Sequence, residues 1–408
     1  MIFRKHSTTC MRHILRVVCA SIIIFSSLSS GISGEAGIPL REKSKDNYLL
    51  KEVDFDMQLD LSISYLDAKK DYSQKGLRTV PDYKTTLRAD QISTPPGGVV
   101  TLKTGIGGKE EPVLVWDSDT EWIEWGIEVP KEGLYEISME YYPLEGTGND
   151  IIRELSINGK VPFQEAGNIT LTRLWRDKEG IEINSVGDEV RPRPVEIKEW
   201  LTTSLYDSYG KDARPLLFHL NAGINQIRLK YLDQPMAIGR ITVKSGEEML
   251  HYEEVLASYK EKNLFGAVKS IEFQAENNVV YKSHSTIRME SDGDPMTEPV
   301  SMGYRVLNCI GGERWSKGNQ YITWRFSVPE EGFYKIGLRF KQNFGDGLPS
   351  FRSILIDGKV PFLELCEYKF EYNLGWRIEE LKDEHGIPFL FHFEEGEHTL
   401  TMRVVLGH

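Results

Sequence analysis

Two stretches of alternating apolar and polar residues, separated by a turn sequence, occur in the first half of the chain. Residues 121–129 alternate as a strand with one buried face requires, and residues 135–141 alternate again. Between them Pro130 fixes φ for a turn, and Gly133 relaxes the end of that turn. The pattern therefore predicts two strands that close a β-hairpin.

Further turn signals extend this pattern along the chain. Residues 218–220 and 224–229 predict a second strand pair around Asn-Ala-Gly. Asn158-Gly159 and Asp357-Gly358 predict two-residue hairpin turns, because both central residues of such turns take positive φ. Short strands joined by Gly and Pro turns are typical of an all-β sandwich rather than of a parallel sheet.

The same pattern is present twice. Residues 125–137 recur as 324–336 and residues 157–163 recur as 356–362, both at an offset of 199, and the ungapped alignment of 121–163 on 320–362 has 17 identities in 43 positions. The repeat places Trp125 and Trp324 on one repeated strand face, and we assign both to the core. The chain therefore contains a duplicated domain.

The two copies differ in length after the shared blocks. Residues 218–223 recur as 391–396 at an offset of 173, so the first copy carries 26 more residues, which fall within 172–215. A long loop of this kind in a compact domain is functional or mobile. The first copy continues through a predicted last strand at 236–243, for which the second copy shows no counterpart up to residue 408.

These patterns predict an all-β protein of two tandem β-sandwiches joined by a short helical linker. Tyr252, Val255, Leu256 and Tyr259 have helical spacing and predict that linker, whereas the alternation of residues 53–65 predicts an extended segment. The predicted boundaries are a signal peptide at 1–34, an extended lead-in at 35–80, a first sandwich at 81–246, the linker at 247–268, and a second sandwich, truncated at its C-terminus, at 269–408.

The N-terminal residues have the pattern of a secretory signal. Arg4, Lys5, Arg12 and Arg16 precede an apolar run at 17–28 and a stretch of small residues. A run of about 12 residues is shorter than the roughly 20 that a membrane-spanning helix needs, although an uncleaved anchor is the alternative. We expect a secreted or cell-surface protein without a membrane span after cleavage.

The predicted cleavage determines which cysteines the secreted protein keeps. Cleavage near residue 34 leaves Cys309 and Cys366, which form one disulfide or remain two buried thiols. No Cys or His pair has the spacing of a zinc site.

Charge and motifs restrict the class of function. The formal net charge is −12, and cleavage removes four basic and no acidic residues, which changes it to −16. This balance argues against nucleic acid as a partner, because phosphates need a basic excess. No nucleophile elbow, His-Glu-x-x-His or Walker sequence is present, so we expect a protein that is not an enzyme and carries no certain cofactor.

Several longer sequence segments resemble segments of known proteins. Gln274-Ala-Glu276, the Trp-x-x-x-Val-Pro-x-x-Gly-x-Tyr segments and the Ile-Asp-Gly-Lys turn resemble jelly-roll, galactose-binding-like carbohydrate-binding modules. Val190-Arg-Pro-Arg-Pro-Val-Glu, Asn308-Cys-Ile-Gly-Gly and Lys341-Gln-Asn are similar to the tandem N-terminal region of long extracellular solute-binding proteins of Gram-positive carbohydrate ABC-type transporters, over residues 48–408. The resemblance implies a surface accessory region, with transporter membrane subunits as partners where a solute-binding domain follows.

Candidate sugar-binding residues lie near the repeated blocks. A sugar site combines an aromatic plane with planar hydrogen-bond donors, and an oligo- or polysaccharide is the expected partner. The alternative assigns the tryptophans to capping each sandwich and the arginines to ion pairs. The candidates are Arg153, Trp175, Arg176, Asn343, Arg352, Trp376 and Arg377.

A structural calcium ion is a further expectation, which the resemblance to related sandwich modules implies. Asp90 and Glu276 stand at the opening of the two copies, where those modules hold Ca²⁺ through acidic oxygens. Gln274 replaces a carboxylate in the second copy.

These observations favour an exported, noncatalytic carbohydrate-binding accessory region associated with an ABC-transporter solute-binding protein. The alternatives are a structural spacer or protein-docking pair of sandwiches at the cell surface and, third, a glycoside hydrolase.

Overall fold

The computed structural model describes residues 2–5, 63–117, 119–260 and 270–407. The part of the predicted signal and lead-in at 6–62 lies outside the described residues. Residues 63–407 and the N-terminal strand belong to one compact unit. Among the described residues, no helix is long and apolar enough to cross a membrane.

The first domain contains one helix and most of the strands. Its helix is α1 (Tyr65–Gln74), and the N-terminal strand β1 (Ile2–Lys5), which precedes it in the chain, pairs with two strands of the second domain. The strands that follow are β2 (Lys84–Arg88), β3 (Thr101–Lys103), β4 (Val113–Trp116), β5 (Trp122–Val129), β6 (Gly133–Pro143), β7 (Ile151–Ile157), β8 (Ile169–Leu171), β9 (Leu174–Asp177), β10 (Glu182–Ile183), β11 (Glu189–Val190), β12 (Pro194–Ile197), β13 (Leu201–Ser204), β14 (Leu217–Leu220), β15 (Gly223–Asp233) and β16 (Met236–Ser245).

The second domain repeats this order in a shorter form. It begins with α2 (Tyr252–Lys260). Its strands are β17 (Val279–Lys282), β18 (Met289–Glu290), β19 (Cys309–Gly311), β20 (Tyr321–Val328), β21 (Gly332–Tyr334), β22 (Gly337–Gln342), β23 (Ser350–Ile356), β24 (Tyr368–Phe370), β25 (Asn373–Glu380), β26 (Phe391–Phe393) and β27 (Gly396–Val405). Short 3₁₀ turns lie at Ile106–Gly108, Gln164–Asn168, Gly312–Arg314 and Leu363–Leu365.

The sheets confirm an all-β architecture of two sandwiches. In the first domain, a sheet in the order β5-β15-β7-β8 packs against one in the order β13-β6-β16-β4-β3, in which β14 also pairs with β6 and β2 with β16. In the second domain, the order β20-β27-β23-β24 reproduces the first of these sheets strand for strand. The duplication in sequence is therefore a duplication of topology.

Each sandwich has its own core built on the repeated tryptophans. Trp125 and Trp324 are at most 1% exposed, which confirms their assignment to the core. Their indole Nε1 groups donate to the carbonyls of Arg88 and Ala275 over 3.1 and 2.7 Å. A buried indole needs such an acceptor.

Two predicted strand pairs are wrong, that of 121–129 with 135–141 and that of 218–220 with 224–229. β5 pairs with β15, whereas β6 pairs with β13, β14 and β16, so the Val-Pro-x-x-Gly turn carries the chain from one sheet to the other. The strands on either side of Asn-Ala-Gly, β14 and β15, also lie in different sheets. Alternation reports which face of a strand is buried and leaves its hydrogen-bonded neighbour undetermined.

The two-residue turns adopt the predicted backbone. φ is 51° and 78° at Asn158 and Gly159, and 48° and 78° at Asp357 and Gly358. Each turn closes a single antiparallel bridge, from Ile157 to Lys160 and from Ile356 to Lys359.

The extended lead-in is wrong where the structure describes it, because residues 65–74 form α1. Tyr65, Ala68 and Tyr72 are buried at helical spacing, and the Ser64 hydroxyl caps the helix by accepting from the Asp67 amide. The alternation of apolar and polar residues at 53–65 predicts an extended segment, but from Tyr65 onwards the buried residues follow helical spacing.

The two helices are equivalent elements of the repeat. The hydroxyl oxygens of Tyr65 and Tyr252 accept from the amides of Leu217 and Leu390, both over 2.9 Å. The amides of the same tyrosines donate to carboxylates at Glu165 and Glu364. The predicted linker helix is therefore the first element of the second domain.

Cys309 and Cys366 do not form a disulfide with each other. Cys309 packs against Trp376, whereas Cys366 packs with Ala213 and Val405. Both are buried, as the alternative of two buried thiols describes.

Candidate functional site

The extra residues of the first copy connect the two domains. β9 and β12 form an antiparallel pair, and β9 also pairs with β17 of the second domain, where Trp175 lies opposite Lys282. The second domain's sheet therefore continues into the first in the order β12-β9-β17-β20-β27-β23-β24. The segment that is predicted from sequence to be a functional or mobile loop forms, at β9 and β12, part of an interdomain sheet.

A buried ion pair lies in this sheet. Lys282 Nζ donates to Asp177 Oδ1 over 2.6 Å, and the two side chains are 0% and 10% exposed. Burial lowers the pKa of Lys282, and the charge and hydrogen bond of Asp177 oppose that change. The pair therefore depends on both partners, since either charge alone would be desolvated without compensation.

The rest of the insertion makes further contacts with the second domain. Asp188 Oδ1 accepts from the Arg305 amide over 2.8 Å, and Glu189 Oε2 accepts from the Leu307 amide over 2.6 Å. Arg191 forms an ion pair with Glu290. These contacts fix β10 and β11 against the segment between β18 and β19.

A cleft of about 830 Å³ lies between the insertion and the second domain. Arg176, on β9, and Arg325, on β20, are exposed side chains from the two domains in its lining. Phe326 supplies a half-buried ring. The remaining lining residues are Asp177, Lys178, Glu179, Gly180, Ile181, Pro192, Glu276, Asn277, Asn278, Val279, Val280, Met289, Ser327 and Glu397.

The lining combines planar polar groups with apolar surface. Guanidinium, amide and carboxylate groups can each form more than one hydrogen bond with fixed geometry. Val279, Ile181 and Phe326 supply apolar contact beside them. A cleft of this size and composition suits a polar organic ligand.

Glu276 is the most perturbed acid in this lining. Its side chain is 1% exposed and neither carboxylate oxygen has a hydrogen-bond partner. Burial raises its pKa from the ordinary 4.5 to about 7. A buried carboxylate without donors is costly when it is ionised.

The unpartnered oxygens near Glu276 are candidate ligands for the expected calcium ion. Gln274 also has a buried amide oxygen without a partner, so Gln274 and Glu276 both have oxygens that could serve as ligands. Ca²⁺ takes six to eight oxygens, and no group of three acidic, His or Cys side chains that could hold a metal is found among the described residues. Asp90 is exposed and bonded to Arg88 over 3.0 Å. Calcium stays a prediction, and Glu276 fits it better than Asp90.

Glu276 predicts a pH dependence of stability. In calcium-free buffer the free energy of unfolding should fall as pH rises from 4.5 to about 7, because the folded state holds a proton that the unfolded state releases. E276Q should weaken this dependence, and at pH 8 its free energy of unfolding should be about 2–3 kcal/mol higher than that of the unaltered chain. Urea unfolding at pH 5 and pH 8 measures both, and equal pH dependence in the two proteins would contradict the assignment.

The first-copy candidates Trp175 and Arg176 lie on β9. Trp175 is half-buried, and its ring lies beside Gly148, where an added Cβ would come within 3.4 Å of the ring. Arg176 is exposed in the cleft. Of the seven predicted sugar-binding residues, Arg176 is the one that lines this cleft.

Arg153 and Arg352 lie in the interior of the two sandwiches. The Arg153 guanidinium stacks on Trp116 at 4.5 Å and that of Arg352 on Trp315 at 4.5 Å. Both guanidinium groups donate to main-chain carbonyls, and burial lowers the pKa of both to about 9. These two side chains are at most 1% exposed and therefore offer no donors to a surface ligand.

The second-copy candidates Asn343, Trp376 and Arg377 lie together around β22 and β25, apart from the cleft. Trp376 is 6% exposed, and its Nε1 donates to Asp292 Oδ2 over 2.9 Å. Arg377 stacks on Phe340 at 4.7 Å. Asn343 follows β22 and has a buried side-chain oxygen without a partner.

The two Trp-Arg segments are not structural equivalents. β25, which carries Trp376, pairs with β22 as β13 pairs with β6, whereas Trp175 lies on β9 in the insertion. The two similar sequence segments lie on strands that are not equivalent, so their similarity does not indicate a repeated binding site.

Lys282, Arg325 and the two asparagines of the cleft, Asn277 and Asn278, are not among the residues that the sequence predicts. Arg325 occupies the position of Gly126 in the repeat, which is the one available signal that this strand differs between copies. Lys282 had no such signal, because a lysine in an alternating strand is ordinarily exposed.

Comparisons with known proteins give weak likenesses. The sequence matches no known protein-family profile and no curated protein at a significant level. Among solved structures, a family 35 carbohydrate-binding module from Clostridium thermocellum is 16% identical over 40% of this chain and 97% of its own, with a TM-score of 0.23. A CBM35 from Paenibacillus barcinonensis is 15% identical over 39% and 98%, with a TM-score of 0.24.

A third similar structure is the Podospora anserina GH26-CBM35 β-(1,4)-mannanase. It is 15% identical over 41% of this chain, with a TM-score of 0.26, and this chain covers 28% of the mannanase. With identities and TM-scores this low, these likenesses carry no argument about function, which depends on the contacts described above.

Proposed function

We propose that this protein is an exported, noncatalytic carbohydrate-binding protein that binds an oligo- or polysaccharide in the cleft between the insertion and the second domain. The observation that carries the proposal is the cleft itself, about 830 Å³ in volume and lined by Arg176 from one domain and Arg325 from the other. Its volume lies within the roughly 300–1,000 Å³ of small-ligand sites.

The chemistry of the lining supports a sugar as the ligand. Arg176, Arg325, Asn277 and Asn278 supply planar donors for vicinal hydroxyls, and carboxylates such as Glu179 accept from them. Phe326 and the aliphatic side chains offer contact to the C–H face of a ring. Trp175 and Trp376 are less available, because one is half-buried and the other is buried.

Affinity electrophoresis on a panel of plant and bacterial polysaccharides tests the proposal. The full chain should be retarded on at least one polysaccharide, and R176A should weaken that retardation by about tenfold, since hydrogen bonds to a charged donor contribute about 1.5–3 kcal/mol. R240A is the matched control, because Arg240 is an exposed arginine on β16 and does not line the cleft. Unchanged mobility on every glycan would refute carbohydrate binding.

The noncatalytic part of the proposal has its own test. Incubation of the chain with each retarding polysaccharide should release no reducing sugar above the level of a heat-denatured control. Release that depends on the native protein would favour the hydrolase alternative.

We also propose that the protein acts outside the cell with an ABC-type solute-binding protein. The support is the resemblance of phrases such as Val190-Arg-Pro-Arg-Pro-Val-Glu. Fractionation should find the protein in the medium or at the cell surface, and cross-linking there should join it to transporter subunits. Retention in the cytoplasm would contradict this proposal.

A structural spacer is the second candidate, and the shared sheet favours it. A sheet that continues from β12 to β24 would hold the two sandwiches at a fixed spacing for a neighbouring domain. A spacer predicts no retardation on any glycan and no effect of R176A, so the electrophoresis experiment separates the two candidates.

A further inference from the structure

The cleft lies where the shared sheet divides. Within the described residues, β9 and β17 are joined by the single pair of Trp175 with Lys282. The pairing ends there, and residues 176–181 and 276–280 line the cleft from its two sides. β20 and β27, the next strands of the sheet, supply further lining residues. The cleft therefore extends over four neighbouring strands.

The register of the sheet determines on which face its side chains lie. Trp175 pairs with Lys282, and Lys282 pairs with Ile322, so these three side chains point to one face. Successive residues of a strand point to opposite faces. Arg176 and Arg325, which are one and three residues away from this row on their own strands, therefore point to the other face and lie on the same side of the sheet.

Glu397 lies at the far corner of the same face. It pairs with Ser327, which is two residues beyond Arg325 on β20. From Arg176 to Glu397 the sheet extends over three strand spacings and four residues, which places their Cα atoms about 20 Å apart. A pyranose ring is about as wide as one strand spacing, about 5 Å. A single sugar unit therefore fills only a part of this length.

The charged groups along this length are accessible to a ligand. Arg176, Arg325 and Glu397 are exposed, and none of them forms an ion pair with another described residue. The two guanidinium groups can donate to sugar hydroxyls, and the carboxylate can accept from them. Because exposed side chains form both corners, a longer polymer can continue past either of them.

We propose that the cleft binds an internal segment of about four sugar units within an extended polysaccharide, from Arg176 at one corner, past Arg325, to Glu397 at the other. This inference rests on the proposed function and specifies the ligand as a linear polymer recognised along its length rather than as a terminal sugar. Hydrogen bonds at exposed positions contribute little individually, so affinity accumulates as successive units reach successive residues.

A ladder of fragments tests the length of the segment. Fragments of one to six units, prepared from a polysaccharide that retards the full chain, are added as competitors in the affinity electrophoresis. The concentration that abolishes half of the retardation should fall with each added unit, by about 100-fold or more between one and four units, and should change little beyond four. A six-unit fragment whose terminal ring has been opened by reduction should compete as well as the intact fragment, because the cleft binds internal units.

Variants at the two corners test the span. R176A and E397A should each weaken competition by the four-unit fragment by about tenfold, and each should shift the plateau to about three units, because one end of the segment loses its contact. R240A and E395A are the matched controls, since Arg240 and Glu395 are exposed and do not line the cleft. All four positions are on the surface, and unchanged thermal unfolding checks that each variant is folded.

The outcomes distinguish this inference from the proposed function. A gain in competition up to about four units, reduced by both corner variants and by neither control, supports the inference. A single sugar unit that competes as strongly as four, or an effect of R176A without one of E397A, would overturn the inference and leave carbohydrate binding in place. Absence of retardation on every polysaccharide would overturn both.

Discussion

Replacing Lys282 with Met is expected to lower the free energy of unfolding by about 3–5 kcal/mol. Met preserves the length and apolar contacts of the lysine stem but leaves the Asp177 carboxylate, only 10% exposed, without its cation. An uncompensated buried charge is much more costly than the loss of a contact. Urea unfolding of K282M beside the unaltered chain measures the effect.

Two further variants test whether the loss of stability comes from the unpaired charge of Asp177. K282M combined with D177N should recover part of the lost stability, because the double variant no longer buries a charge. K75M is the matched control, since Lys75 and Asp71 are also 2.6 Å apart but are exposed, and its loss should not be measurable. A loss in K282M no larger than that in K75M would show that the interdomain pair does not stabilise the fold.

Replacing Trp376 with Ala is expected to destabilise the second domain by about 3–5 kcal/mol, as for other buried large-to-Ala changes. Trp376 covers Cys309, and its indole donates to Asp292, which also accepts from Lys341 over 3.2 Å. The variant would leave a cavity and remove one donor from that carboxylate. Thermal unfolding measures the change.

W175A is the comparison for W376A. Trp175 is half-buried on β9, so its removal should cost less stability than removal of Trp376. Any loss of glycan retention in W376A must therefore be interpreted together with its stability. Equal unfolding temperatures for W376A and the unaltered chain would contradict the buried position of Trp376.

The architecture was predictable because the repeat and the alternation carry the same information. Two copies of one strand pattern, each with a buried Trp, can be recognised without knowing which strands are neighbours. The partners were not predictable in this way, since β5 and β6 alternate equally well in a hairpin or in two opposing sheets. α1 was missed because the alternation before Tyr65 suggested an extended strand, although Tyr65 and Tyr72 have the spacing of Tyr252 and Tyr259.

The candidate site was predictable only in part. Arg176 was a candidate from its neighbouring Trp, and it does line the cleft. Arg153 and Arg352 satisfied the same chemical criterion, but their stacking on Trp116 and Trp315 depends on tertiary packing that no local pattern encodes. The cleft itself arises from β9 pairing with β17, a contact between residues more than a hundred positions apart.

The two repeats share one sheet and therefore form a single structural unit with a cleft between them. Differential scanning calorimetry of the unaltered chain tests this single unit most directly, because independently folded domains unfold in separate transitions. The shared sheet and the Lys282–Asp177 pair predict one cooperative transition in the unaltered chain and two in K282M. Two separate transitions in the unaltered chain, unchanged in K282M, would contradict it.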